Sequence, residues 1–144
     1  MHPYPHVYTV SAAGSSTGSV SVSAVALPLI ETAPPPEFDG PGDVWSPESL
    51  LCGAVADCFI LTFRSFARAS RFEWIKLACR VEGTLDRVEG IPKFKHFVTH
   101  ATLEVAGGAD TAKARLLLTK AEHGCLISNS LSASRELVAE VVGS

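Results

Sequence analysis

One stretch constrains this chain more than any other. From Ser49 to Phe63 the sequence carries a single charged side chain, Asp57. Just before it, Ser46-Pro47-Glu48 reads as a helix start. The serine hydroxyl can accept an orphan backbone N–H, the proline suits the first helical position, and the carboxylate meets the positive end of the helix dipole. The pattern predicts a helix from there to about Ser70. Leu50, Leu51, Ala54, Val55, Phe59, Phe63 and Phe66 cover most of the circumference of its first half. A helix apolar nearly all round is buried on most sides, so it belongs at the centre of the fold. In a chain of 144 residues, a second copy would help to cover it. The uncharged run is shorter than the roughly 20 apolar residues of a membrane span, which argues for a soluble protein with no membrane partner.

The rest of the chain reads as strands and shorter helices around this element. Tyr8-Thr9-Val10 and Ser19-Val20-Ser21-Val22-Ser23 alternate as strands do, with a turn near Ala13-Gly14-Ser15. Residues 34–47, with Pro34-Pro35-Pro36, Gly40-Pro41-Gly42 and Pro47, read as a loop from sheet to helix. From Glu73 to Asp86 the alternation puts Ile75, Leu77, Cys79 and Val81 on one face. Val88-Glu89-Gly90-Ile91-Pro92 reads as a turn, and Phe94 to Val105 as a second strand with Phe97, Ala101, Leu103 and Val105 inward. The two form an antiparallel hairpin with one wet side. Asp110 caps a helix whose Ala114, Leu117, Leu118 and Ala121 make the buried stripe, and Gly124 is a natural stop. Cys125 to Ser132 reads as a short helix, and Leu137, Ala139 and Val141 mark a final strand. The order is that of a single α+β domain spanning residues 1–144.

Composition removes several function classes. The chain is 47% hydrophobic, enough for a real core, and 19% charged with a net charge of −3. No basic excess points to nucleic acid, and no acidic tail points to a chaperone-like role. The opening Met1-His2-Pro3-Tyr4-Pro5-His6 lacks the charged and apolar regions of a secretion signal, so a cytoplasmic location is expected. His96 and His100 fall four apart in a strand, about 13 Å from each other. That is too far for one zinc ion, and neither a metal nor a cofactor is expected.

The four cysteines, Cys52, Cys58, Cys79 and Cys125, contain no CxxC pair, and with an ample core they are not needed as a disulfide framework. A reactive cysteine needs thiolate character, partial access and often a resolving partner. On local pattern Cys58, in mid-helix, reads as a buried apolar thiol, and Cys52 and Cys79 read as packing. Cys125 follows Gly124 and begins a helix, where the thiol pKa falls. Local pattern therefore favours Cys125 as the reactive one. His123, two residues earlier, reads as a solvated side chain that could assist it.

Two segments carry a further signal. Trp45-Ser46-Pro47-Glu48-Ser49-Leu50-Leu51, running on to Asp57-Cys58-Phe59, resembles the first cysteine helix of the OsmC/Ohr family. Ala121-Glu122-His123-Gly124-Cys125-Leu126-Ile127-Ser128-Asn129-Ser130-Leu131 is similar to the family's second cysteine motif. The resemblance implies an OsmC-like fold, with antiparallel sheets around long central helices in an intertwined homodimer. It implies an organic hydroperoxide substrate, a peroxidatic Cys58, a resolving Cys125 and a dithiol reductant such as a dihydrolipoyl group. Glu48 matches the family's glutamate, which orients an arginine beside the peroxidatic cysteine. The alternative within the same fold is a non-enzymatic protein that binds a small apolar ligand or senses redox state.

Two points of physics qualify this picture. Glu48 and Cys58 are ten residues apart on one helix, about 15 Å along its axis. They cannot line one small site within a subunit, but two antiparallel copies could bring Glu48 of one toward Cys58 of the other. The family's activating arginine lies in the N-terminal strands, whereas the first Lys or Arg here is Arg64. With no cation at hand and Asp57 adjacent, the Cys58 pKa is expected near the free value of about 8.5.

Overall fold

The helix implied by the apolar run forms, and its start follows from Ser46. The Ser46 hydroxyl accepts the Ser49 N–H at 3.1 Å, and the Ser49 hydroxyl accepts the Ser46 N–H at 2.9 Å. This reciprocal cap satisfies two backbone donors at once. Pro47 takes the first helical position, and the helix, α1, runs Pro47–Ala69. At 23 residues it is long and apolar enough to cross a membrane by length and composition, a test that the core helix of a soluble protein also passes. Its packing is that of a core helix. Val55, Phe59, Phe63 and Ala67 recur every four residues and are fully buried, a single stripe at helical spacing. The expectation of burial on most sides is thus corrected: within the chain, one stripe is sealed and the rest is not.

The computed structural model describes residues 1–143. They divide into two compact units, Met1–Leu51 and the chain from Cys52 onward. The first holds an antiparallel sheet of β1 (Ser11–Ala13), β2 (Val20–Ser23) and β3 (Ile30–Thr32). Tyr8-Thr9-Val10 lies outside it, with Tyr8 and Val10 exposed. The reason is register. Ser11 already pairs with Ser23, the last residue of β2, so nothing remains for the earlier residues to pair with. The proline-rich loop carries one 3₁₀ turn, Pro36–Phe38.

The second unit is built on β4 (Lys76–Val88), β5 (Ile91–Val105) and β6 (Ser134–Gly143), in the order β4-β5-β6. β4 and β5 form the expected antiparallel hairpin, closed more tightly than the sequence implied. Glu89 and Gly90 alone make the turn, with φ of 53° and 79°, the two positive values a type I′ turn requires. Val88, Ile91 and Pro92 are therefore strand residues. Pro92 sits beyond the reach of β6, whose pairing begins at His96, so its missing N–H costs no bond on that side. β6 pairs parallel to β5, because α2 (Thr111–Gly124) and α3 (Leu126–Asn129) carry the chain back across the sheet between them. The sheet is thus mixed, where an antiparallel one was expected.

One face of this sheet is sealed. Phe97, Ala101, Leu103 and Val105 of β5 are buried as the alternation implied, while Ile75, just before β4, is exposed. Phe59, Phe63 and Ala67 of α1 pack with Ala114, Leu117, Leu118 and Ala121 of α2 against Leu77, Ala101, Leu103 and Val105. Asp110 caps α2 by accepting the Lys113 N–H at 3.0 Å. The expected helix at 125–132 shrinks to Leu126–Asn129, with Cys125 in extended conformation as its cap.

Gly83 of β4 shows how tight the packing is. It pairs with Phe97, and a Cβ there would lie 2.8 Å from both the Cys52 sulfur and the Phe97 ring. Gly83→Ala should therefore cost about 1–3 kcal/mol by overpacking. Urea unfolding followed by circular dichroism checks this, and an unchanged midpoint would refute the contact.

Candidate functional site

α1 and the α2–α3 turn converge on one thiol. Cys58 lies in mid-α1, half-buried. One turn further on, the Thr62 hydroxyl lies 3.8 Å from its sulfur, the separation expected for residues four apart on a helix. From the other side comes the α2–α3 turn, bringing the backbone N–H groups of Leu126 and Ile127 and the Cys125 side chain to Cys58. Gly124 makes this approach possible. A Cβ at that position would stand 3.0 Å from the Phe66 ring and 3.4 Å from the Thr62 methyl. Gly124 is the last residue of α2, as expected from sequence, and it also permits close approach of two helices.

These surroundings act on the thiol in opposite directions. Burial is the largest influence on Cys58 and pushes its pKa up. The Ile127 N–H, the Cys125 side chain, the Thr62 hydroxyl and the Leu126 N–H each favour the thiolate, and together they outweigh burial. The Cys58 pKa is held below its ordinary value. The direction is downward although no arginine is among the groups acting on the thiol: backbone N–H groups at the start of α3 favour the thiolate. Asp57 is exposed and is not among the groups acting on Cys58; its charge raises Cys79 instead.

Cys125 behaves in the opposite way. It is fully buried. Desolvation raises its pKa, the Ser128 hydroxyl and N–H oppose that, and interaction with Cys58 raises it further. Its thiol points at the Val55 carbonyl, 4.0 Å away. So the donors of α3 reach both thiols, but at Cys125, its own cap residue, burial outweighs them, whereas at Cys58, from another helix, they outweigh burial. The local reading of Cys125 as the reactive thiol is reversed. Both cysteines are free thiols, and each shifts the pKa of the other.

The other expected residues fall elsewhere. Glu48 is in the first unit, at the second position of α1. It lines a cleft of about 470 Å³ whose walls include Val20, Val22, Pro35, Phe38 and Leu50. Its Oε1 is buried with no hydrogen-bond partner. Cys52 packs against Gly83, and Cys79 donates to the Ala56 carbonyl at 3.4 Å; burial raises the pKa of both. His123 is exposed. His96 meets the Ser134 hydroxyl at 2.7 Å and His100 meets Glu82 at 3.0 Å. Local pattern missed Thr62, Ser128 and the two N–H groups. Thr62 was findable at four residues from Cys58, whereas the N–H groups required the tertiary fold.

Comparison with known proteins identifies the family and the fold. The family model described as OsmC-like protein matches residues 40–139. An uncharacterized Bacillus subtilis (strain 168) protein, YmaD, is 32% identical over 109 residues, covering 74% of this chain and 73% of that protein. Among solved structures, an OsmC-like protein of unknown function from Vibrio cholerae superposes with a TM-score of 0.83 at 15% identity, over 96% of this chain and 100% of the other. An organic hydroperoxide resistance protein OsmC from Legionella pneumophila gives 0.73 at 25% identity, over 95% and 98%.

The electrostatics lead to an ordered labelling. Iodoacetamide should alkylate Cys58 with a midpoint at lower pH than free cysteine, while Cys52, Cys79 and Cys125 lag. One hydrogen bond is worth about 0.5–1.5 kcal/mol and one pKa unit about 1.4 kcal/mol. Thr62→Val should therefore raise the Cys58 midpoint by up to about one unit. Peptide mass spectrometry across a pH series reads both effects.

Proposed function

The chain belongs to the OsmC-like protein family, and from that premise we propose that it is a thiol-dependent peroxidase that reduces organic hydroperoxides in oxidative-stress defence. The observation that carries this reading is the Cys58–Cys125 pair, one thiol favoured as thiolate and the other held neutral beside it. The Cys58 thiolate attacks the distal peroxide oxygen and the O–O bond breaks. The alkoxide takes a proton and leaves as an alcohol, and Cys58 becomes a sulfenic acid. Cys125 then attacks that sulfur, water leaves, and a disulfide joins the pair. A dithiol, such as a dihydrolipoyl group, reduces the disulfide and is itself oxidised. The likeness to the Legionella pneumophila organic hydroperoxide resistance protein supports this substrate class. The proposal has Glu48 act as a site residue across a dimer, and residues 1–144 serve as one OsmC-like domain, since the family match spans the boundary between the two units. Four free thiols suit a reducing cytoplasm.

A second reading is a non-enzymatic protein of the same fold that binds a small apolar ligand. The cleft around Glu48 favours it, being lined mainly by apolar side chains. The two readings part on thiol chemistry. One equivalent of cumene hydroperoxide should yield a Cys58–Cys125 link by mass spectrometry, and Cys125→Ser should accumulate oxidised Cys58. Cys79→Ser should keep turnover while losing about 1–3 kcal/mol of stability from a poorly paired buried hydroxyl. If both thiols stay free after oxidant, the peroxidase reading falls and the binding reading stands.

The proposed active form is a homodimer. Its support is α1, whose most apolar window is 22% buried within the chain and whose Leu61 is 51% exposed. A second copy laid on this helix would bury an interface of the obligate kind, above about 2,000 Å². Sedimentation should show a dimer at micromolar concentration, and a stable monomer would refute it.

A further inference from the structure

The N–H groups that face Cys58 belong to a short turn, and the side chain that holds this turn comes from a distant strand. Arg135 is the second residue of β6, paired with Phe97 of β5. Its guanidinium reaches the α2–α3 turn and donates three hydrogen bonds. Nε donates to Glu122 Oε1 at 2.9 Å, Nη2 to the Glu122 carbonyl at 2.7 Å, and Nη1 to Asn129 Oδ1 at 2.8 Å. Asn129 Nδ2 closes the loop by donating to the His123 carbonyl at 3.0 Å.

These contacts bracket Cys125. Glu122 lies three residues before it and Asn129 four after it. The two backbone acceptors, the carbonyls of Glu122 and His123, are among the last carbonyls of α2, which lack helical partners of their own. A guanidinium is planar and presents its donors as a rigid fork, so three bonds from one group fix the relative directions of their acceptors. Glu122 is 7% exposed. Burial penalises its charge and Arg135 offsets that penalty, so the pair is held together where either member alone would be unfavourable. Between the two anchors, Cys125, Leu126, Ile127 and Ser128 have little freedom left.

We propose that Arg135 is a positioning residue for the site: by clamping Glu122 and Asn129 it sets the turn that brings Cys125 and the Leu126 and Ile127 N–H groups onto the Cys58 sulfur. This rests on the reading of Cys58 as the reactive thiol. Arg135 is not among the groups acting directly on Cys58; it acts through the turn. It therefore differs in kind from an arginine placed beside the sulfur.

The test is the pH profile of Cys58 alkylation by iodoacetamide, read by mass spectrometry on the full chain. Wild type, Arg135→Lys, Arg135→Gln and Asn129→Ala are compared, with circular dichroism as the check on folding. A purely structural role would lower the melting temperature and leave the midpoint of a folded variant unchanged. The expected result is a midpoint raised by roughly half a unit or more in Arg135→Gln, since several hydrogen bonds lose their anchor. Arg135→Lys, which keeps the charge but not the fork, should fall between it and wild type. A folded Arg135→Gln protein with the wild-type midpoint overturns the proposal. If Arg135→Gln does not fold, Asn129→Ala decides, because it removes one arm of the clamp and leaves the ion pair: a raised midpoint supports the proposal and an unchanged one overturns it. A wild-type Cys58 midpoint no lower than that of free cysteine sinks the underlying reading of Cys58 itself, whatever the variants do.

Discussion

A close approach in the second unit shapes the surroundings of Cys58: the end of α2 against α1 at Gly124. Helix axes commonly stand 8–10 Å apart, the distance being set by the side chains between them. Here one side chain is missing. The Phe66 ring and the Thr62 methyl occupy the space where a Cβ would be. That places the residue after Gly124 against α1 at the level of Val55 and Cys58. The apolar stripes of α1 and α2 supply the attraction, since both pack on the same face of the β4-β5-β6 sheet. A larger residue at 124 would have to move a packed ring, and interiors of native density yield little.

The site solves a conflict between two demands on a thiol. Apolar surroundings keep out water but favour the neutral form. Cys58 and Cys125 resolve this by division. Cys125 takes the burial and stays neutral, with Ser128 as its polar contact. Cys58 lies nearer the surface and receives the donors. Oriented backbone N–H groups suit this role because the fold has already fixed their direction, so little must reorganise when charge develops. Cys125 also begins the turn that presents these N–H groups, so the donors and the second thiol arrive together.

Much of this was legible in the residues. Ser46-Pro47 marked the start of α1, Asp110 the start of α2, and the alternation of β5 named the buried residues Phe97, Ala101, Leu103 and Val105. These are local signals, carried by caps and by periodicity. What was not legible depends on partners distant in the chain. Alternation in 137–141 shows which side chains share a face but not whether the strand runs with or against its neighbour. Apolar residues all round α1 do not show which stripe the chain itself covers. Most telling is Cys125. A helix start is read from sequence as acting on its own first residue, yet its N–H groups act on whatever side chain the fold brings to them. The Cys58 and Cys125 motifs named the pair, and only the fold assigned each its electrostatic character.

The parallel pairing of β6 sets an order of events. α1 leaves the ribosome early, with Cys58 in it, while Arg135 lies on the last strand and can engage Glu122 only after β6 has docked beside β5. Such non-local pairing is slow compared with helix formation, because the loop must close before the contact is gained. Until then the turn at 122–129 lacks its anchor, and the Leu126 and Ile127 N–H groups have no fixed direction. The donors that lower the Cys58 pKa are thus set late in folding, after the strand that carries Arg135 has docked.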